Sequence, residues 1–418
     1  MNLFQGRRRR TDYVMPVCML ILAVMGVSFI YTSGGYNMAE TELYRQTWFK
    51  QIIFFTIGAG AYTFIARIDY EKFFIWAHLI YALSILMLVP LVLQEVFNIN
   101  IPLVKTHGGA TRWVYFGLFS VQPSEIAKIG ALIMTSAVLA RSKVTTVKAS
   151  LKVLIKLAVI ISIPILLIFL QPDLGSTLVF PPMVFAMLYV SKLSKRFFIG
   201  AFTAFAVLIA IVAIDIYRYA NFLEQNQISV RESIVTNAFG SSRISLPMKD
   251  YQRSRILSFV APDFVDQSGR DVTWNLRQSL ISIGSGGVFG KGLGEGTQAK
   301  LGYLPSGVAD NDFIFAVLAE ESGFVGATLA VSLFGVIIIF CCLRAARLSR
   351  DRFGQFLCVG VGAILMTHVF INIGMTLGIM PITGLPLPML SSGGSFVLTC
   401  CILLGLVQSV YRHRQIYD

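Results

Sequence analysis

Side chains with the means to do chemistry gather at a few points in this 418-residue chain, and the first is acidic. Asp310, Asn311 and Asp312 lead directly into Phe313-Ile314-Phe315-Ala316-Val317-Leu318-Ala319-Glu320-Glu321. Ionisable groups at membrane depth are expensive and by default mark function. A carboxylate at a cavity mouth, its pKa raised by partial desolvation, suits a general base acting on a hydroxyl group. Asp312 would serve equally well as the N-cap of the following helix.

Gly284-Ser285-Gly286-Gly287, then Gly290-Lys291-Gly292, superficially suggests a phosphate-cradling loop. The pattern fails: Ser285 stands where its first glycine is needed, and Gly292 stands where Ser or Thr would bind magnesium. Glycine-rich backbone beside Lys291 still suits close approach to a phosphate oxygen. A tight turn or a close helix contact explains it as well. Farther upstream, Lys105 precedes Arg112 and Trp113. The arginine offers a planar fork for diphosphate, and the tryptophan also fits an interfacial aromatic belt. In Gln122-Pro123-Ser124-Glu125-Ile126-Ala127-Lys128, Ser124 reads as an N-cap. Glu125 and Lys128, one helical turn apart, either pair with each other or meet a ligand. Asp173, in Gln171-Pro172-Asp173-Leu174-Gly175, reads as a helix cap, with a substrate or metal role as the alternative. Asn372-Ile373-Gly374-Met375, Pro381 to Pro388 and Ser391-Ser392-Gly393-Gly394-Ser395 carry enough Pro and Gly to break a helix at membrane depth. Such backbone is tolerated only where it lines a cavity or is buried in protein. With no GxSxG elbow, a serine hydrolase is unsupported.

The elements that must hold these residues are membrane helices. Hydrophobic residues make up 55% of the chain and charged ones 14%, and the mean hydropathy is +0.70; the bilayer is the solvent. Ten spans are predicted, near residues 14–32, 49–66, 73–93, 124–140, 151–170, 174–190, 197–216, 313–343, 356–377 and 396–410. Arg7–Arg10 ahead of the first resemble a signal peptide, but no small-residue cleavage site follows, so this run reads as a retained helix. Basic residues fall on alternate connections: Arg7–Arg10, Arg67 and Lys72, then Arg141, Lys143 and Lys148, then Lys192, Lys195 and Arg196, then Arg344, Arg347, Arg350 and Arg352, and finally Arg412 and Arg414. The positive-inside rule therefore puts both termini in the cytoplasm and accounts for most of the +13 net charge without nucleic acid. Three outward connections, 98–123, 217–312 and 381–395, are rich in polar residues and glycine, and the longest is expected to hold helical pieces packed over the bundle. The six cysteines all lie in apolar stretches and the four histidines are scattered, which argues against disulfides and a zinc site.

In this order the motifs resemble the SEDS family (shape, elongation, division and sporulation) of peptidoglycan glycosyltransferases, across essentially the whole chain. Its carriers are Gly109 to Trp113, Gln122 to Glu125, Gln171 to Gly175, Tyr251-Gln252-Arg253-Ser254-Arg255, Gln278-Ser279, Ile283 to Gly287, Gly290 to Gly292, Gly296-Thr297-Gln298, Asp312 to Glu321 and Gly384 to Pro388. Asn-Ile-Gly-Met, and the lack of lysine before Gly384, are more like the elongation branch than the division branch.

The resemblance implies a single all-α polytopic domain over residues 1–418, in the bacterial inner membrane, with 217–312 as its large extracytoplasmic loop between the seventh and eighth spans. It implies transfer of a glycan from undecaprenyl diphosphate onto the 4-hydroxyl of lipid II. Asp312 matches the family's essential aspartate. Arg112, Arg253, Arg255 and Lys291 would bind diphosphates, and Trp113, Glu125, Lys128, Asp173 and Gln298 are further substrate-binding candidates. A divalent cation, magnesium or manganese, could share that work, although no sequence feature requires one. A class B penicillin-binding protein, a single-span transpeptidase, is the implied partner. Asn311 replaces the family's usual threonine and the stretch before Asp312 is about two residues longer, so Asp310 rivals Asp312; Ser391-Ser392 also departs from the pattern. The alternatives are a lipid II flippase, which should need polar groups on both faces, and a non-catalytic scaffold, which predicts silent changes at Asp312 and Arg112.

Overall fold

A computed structural model describes residues 11–35, 43–97, 99, 101–107, 110–115, 120–142, 147–191, 193, 195–240, 246, 248–266 and 273–414. Arg7–Arg10, Gly109, Lys143 and Lys192 lie outside them, as do the side chains of Lys105, Lys148 and Lys195. The chain is overwhelmingly helical, and among the described residues nine helices are long and apolar enough to cross a membrane. In chain order the main elements are α1 (Val14–Ile30), α2 (Thr47–Arg67), α3 (Ala77–Phe97), strands β1 (Val104–His107), β2 (Ala110–Tyr115) and β3 (Ser120–Val121), then α4 (Pro123–Arg141) and α5 (Val147–Phe169). There follow α6 (Leu174–Thr177), α7 (Phe180–Val190), α8 (Lys195–Asn226), α9 (Val230–Thr236), α10 (Asp250–Val260), α11 (Trp274–Ser285), α12 (Ile314–Gly335, carried on helically to Leu348), α13 (Arg352–Thr376) and α14 (Gly394–Arg412).

Nine of the ten predicted spans correspond to these long helices; the segment 174–190 does not. It is divided into α6 and α7, because Pro181 and Pro182 lack the N–H groups an unbroken helix would need and instead occupy the first turn of α7. At about 1.5 Å per residue, α7 alone falls well short of a bilayer core of roughly 30 Å. A second difference lies at the start of the long loop: α8 runs on to Asn226, ten residues past the predicted end at Ile216. Its last turns supply Tyr219 and Leu223 to a satellite core with Val230, Phe239 and Leu257, and that burial keeps the extension helical. The third is a small antiparallel sheet, order β1-β2-β3, in a fold expected to be all helix. It is built from Val104, Thr111, Trp113, Val114 and Tyr115, residue types that suit a pleated surface.

Helices α4, α13 and α14 form the buried centre. Small residues on α4 let neighbours approach closely: a Cβ on Gly130 would collide with Ser84 of α3. The connections carrying Asp69, Arg350 and His413 meet on one face, through Arg350–Asp69 at 3.8 Å and His413–Asp69 at 3.9 Å. The first and last described segments meet there too, since Gln408 donates to the Asp12 carbonyl at 3.1 Å.

Candidate functional site

Asp312 ends the turn that leads into α12, and the geometry separates its two readings. The helix begins at Ile314 with Phe313 in the N-cap position and no side-chain cap. Asp312 therefore does not cap it, and no described residue hydrogen-bonds or ion-pairs with its carboxylate. The turn is held by its backbone instead. Asn372 Nδ2 donates to the Asp312 carbonyl at 3.0 Å and to the Leu385 carbonyl at 2.7 Å. Ser391 Oγ donates to the Asn311 carbonyl at 2.6 Å, and Ser392 N donates to the Asp310 carbonyl at 2.9 Å. Gln51 of α2 fixes that serine segment in turn, donating to Ser391 O at 3.1 Å and accepting from Gly393 N at 3.2 Å. Ser391-Ser392 thus anchors the aspartate turn.

Two arginines face Asp312. Burial pushes its carboxyl above the ordinary aspartate range, while the positive charges of Arg255 and Arg112 oppose that rise. Gly384, at φ +76°, would place a Cβ 3.6 Å from Asp312 Oδ2 and 3.8 Å from Arg255 Nη1, so carboxylate and guanidinium flank this bare backbone. Arg255, on α10, donates to the Ile382 carbonyl at 3.3 Å and lies over the Tyr251 ring at 5.4 Å. Arg112, on β2, donates to the Pro172 carbonyl and to Tyr251 Oη, the latter at 3.2 Å, and its Nε is buried without a partner. Tyr251 also donates to Pro172 O. Glu95 ties the two arginine-bearing elements together: it accepts from Lys249, next to α10, at 2.8 Å and from Thr111 of β2 at 2.7 Å. Beside Arg255 lies an almost wholly apolar cavity of about 450 Å³, lined in part by Leu208, Val212 and Ile256.

Asp310 is buried with Ser392 as its neighbour, and desolvation lifts its pKa to about 6. The arginine charges that act on Asp312 are not among the influences on Asp310, which instead feels the Asp312 carboxylate.

The remaining candidates lie elsewhere. Arg253 is completely buried, bonding Asp215 at 2.8 Å, Asp250 at 3.2 Å, Leu246 O at 2.7 Å and Met248 O, with Phe239 beneath it. Its donors are spent on the satellite core, which corrects its assignment to a diphosphate; the side chains of Arg253 and Arg255 leave α10 in different directions. Lys291 is likewise committed, to Glu320 at 2.5 Å and to Thr297 Oγ1 at 2.7 Å. The glycine loop around it is a close helix contact. Lys291 N and Gly292 N donate to the Glu320 and Glu321 carbonyls, each at 3.0 Å, and a Cβ on Gly286 or Gly290 would strike the backbone of α12. Gln298 belongs to the same contact, its N–H donating to Glu320 at 3.3 Å, although its Oε1 is buried and unpaired.

Glu125 and Lys128 form the intrahelical pair at 2.7 Å, both buried. Lys128 also donates to His368 Nε2 at 3.1 Å. Asp173 caps α6, accepting from Ser176 N at 3.2 Å, and accepts from Gln122 Nε2 at 3.2 Å. Ser124 is not a cap: α4 starts at Pro123, with Gln122 in the cap position. Trp113 alternates with Arg112 along β2 and so projects from the opposite face of the sheet. Sequence reasoning missed Tyr251 as a site residue, and also Gln51 and His368, whereas it marked the segment that begins at Asn372. Polar residues within predicted apolar spans were the available signal for Gln51 and His368.

Magnesium or manganese would find at Asp312 a single carboxylate, and among the described residues no group of three or more His, Cys, Asp or Glu converges. Such a site suits a cation held mainly by substrate phosphate oxygens.

The model of the family FtsW/RodA/SpoVE, "Cell cycle protein", matches residues 12–416. The chain is 32% identical to the peptidoglycan glycosyltransferase MrdB of Escherichia coli (strain K12), over 97% of this chain and 94% of that one. To the peptidoglycan glycosyltransferase RodA of Treponema pallidum it is 29% identical, over 96% and 97% respectively. Its fold is similar to a chain from a peptidoglycan synthase complex, with a TM-score of 0.70, 23% identity, and coverage of 97% of this chain and 99% of that chain.

Proposed function

The chain belongs to the FtsW/RodA/SpoVE family, and from that premise we propose that it is a peptidoglycan glycosyltransferase of the inner membrane, polymerising lipid II into glycan strands during cell elongation. One observation carries the site assignment: the Asp312 carboxylate is neither cap nor ion-pair partner, yet lies in the field of Arg112 and Arg255, both with donors to spare. A base must be uncommitted before substrate arrives, and cations for a diphosphate must not already be neutralised.

In this reading Asp312 takes the proton from the 4-hydroxyl of the acceptor sugar. That oxygen bonds to the donor's anomeric carbon as the bond from carbon to the undecaprenyl diphosphate oxygen breaks. Arg112 and Arg255 stabilise the charge gathering on the departing diphosphate. A divalent cation would add charge there through Asp312 and the phosphate oxygens. In this reading the site is extracytoplasmic and both termini are cytoplasmic, which the described basic residues around Arg350 and His413 on the opposite face support. A class B penicillin-binding protein is the proposed partner, crosslinking the strands as they form.

The test is polymer formation from labelled lipid II by the protein purified with its transpeptidase. Wild type should make glycan, and Asp312→Asn should insert and fold but fall by at least about 100-fold, the range of acid–base catalysis. Polymerisation by Asp312→Asn would overturn the assignment, and movement of lipid II across proteoliposomes without polymer would favour the flippase.

A further inference from the structure

His368 is fully buried on α13, one helical turn before Asn372, so the two share a face. They hold consecutive carbonyls of the turn after α13. His368 Nδ1 lies 3.1 Å from the Pro386 carbonyl, and Asn372 Nδ2 donates to that of Leu385 at 2.7 Å. On its other side His368 Nε2 lies 3.1 Å from Lys128 Nζ. An ammonium has only donors, so Nε2 must offer its lone pair and the ring proton must sit on Nδ1, aimed at Pro386 O. A doubly protonated ring would press a second cation against Lys128, whose charge Glu125 already balances at 2.7 Å. Phe396 packs on the imidazole at 4.7 Å between ring centroids and removes rotational freedom.

This turn is where the catalytic groups are indexed. Ile382 O receives Arg255, Gly384 abuts the Asp312 carboxylate, and Asn372 joins Leu385 O to Asp312 O. We propose that His368 is a positioning residue, a neutral imidazole whose Nδ1–H holds Pro386 and so sets the 382–386 turn against Asp312 and Arg255. Glu125 and Lys128 fix its tautomer from behind, which gives the buried ion pair a task without substrate contact. The proposal rests on Asp312 being the general base.

Two near-isosteric variants separate the two faces of the ring. The amide of His368→Asn reaches the place of Nδ1 and can still donate to Pro386 O. That of His368→Gln reaches the place of Nε2, satisfying Lys128 but leaving Pro386 unheld. In the complex with its transpeptidase, supplied with labelled lipid II, His368→Asn should turn over within about threefold of wild type. His368→Gln should lose roughly 10- to 100-fold in kcat at an unchanged KM, as expected for a slight misplacement of reacting groups. Equal impairment of the two, full turnover by His368→Gln, or a loss confined to KM would overturn the proposal. Failure of the wild type to polymerise would instead count against the functional reading. Nitrogen-15 spectra of histidine-labelled protein, with His78, His107 and His413 replaced by glutamine, test the tautomer independently of activity. The Nδ1–H form is expected, and an Nε2–H form or an imidazolium would overturn the proposal even if the variants failed to fold.

Discussion

Two arginines separated by a single residue have opposite fates. Arg253 pairs with Asp215 and Asp250 in the satellite core, so removing it would strand two buried carboxylates. Arg253→Ala should cost on the order of 3–5 kcal/mol and be visible as a large drop in thermal stability in detergent. Arg255→Ala should leave the unfolding temperature within a few degrees of wild type while abolishing polymerisation; the reverse pattern would mean their roles are exchanged. Asp310 gives a pH signature. Its folded pKa, about 6, lies above the ordinary aspartate value, so its charge opposes folding above pH 6, and that penalty fades as pH falls from 6 towards 4. Asp310→Asn should therefore stabilise the protein at pH 8, with a gain that shrinks below pH 6; a gain independent of pH would contradict this. At this scale residue types were legible but commitments were not. Asp312 and Asp173 both read as possible caps, and only placement showed that Asp173 caps and Asp312 does not.

The broken helix α12 depends on an element that resembled a ligand loop. At Gly323 the backbone turns to φ +68°, freeing carbonyls of the preceding turn, and the loop from Gly286 to Gly292 supplies donors to those of Glu320 and Glu321. Gly290 is doubly constrained, by φ +79° and by the Glu321 carbonyl against it. Gly290→Ala should destabilise the protein by more than about 1 kcal/mol, through strain in the left-handed region plus the collision, as read from the unfolding midpoint. Gly287→Ala, in open space, should carry only the strain. A glycine run beside a lysine fits a phosphate or a neighbouring backbone equally well in sequence. The partner here is a helix about 30 residues downstream, a relation no local pattern encodes.

Across the whole molecule the decisive arrangement is polarity between faces. Basic connections meet around Asp69, Arg350 and His413, whereas Asp312, Arg112 and Arg255 lie at the opposite helix ends. All six native cysteines are buried, so single exposed ones can be read cleanly. A membrane-impermeant thiol reagent applied outside intact spheroplasts should label Lys300→Cys, in the long loop, and spare Arg350→Cys. Labelling of Arg350→Cys alone would invert the topology. The sequence by itself determined the solvent, most of the spans and the order of the motifs, because hydrophobic length and charge placement are local properties summed along a chain. It also placed Asp312 and Arg112 among the candidates by residue type. Only the tertiary structure decided which cations remain free, where the sixth predicted span breaks, and how His368 and Asn372 grip the 382–386 turn. These depend on which distant groups meet: Asp215 neutralises Arg253 from 38 residues away, and Gln51 holds the Ser391 carbonyl across 340 residues.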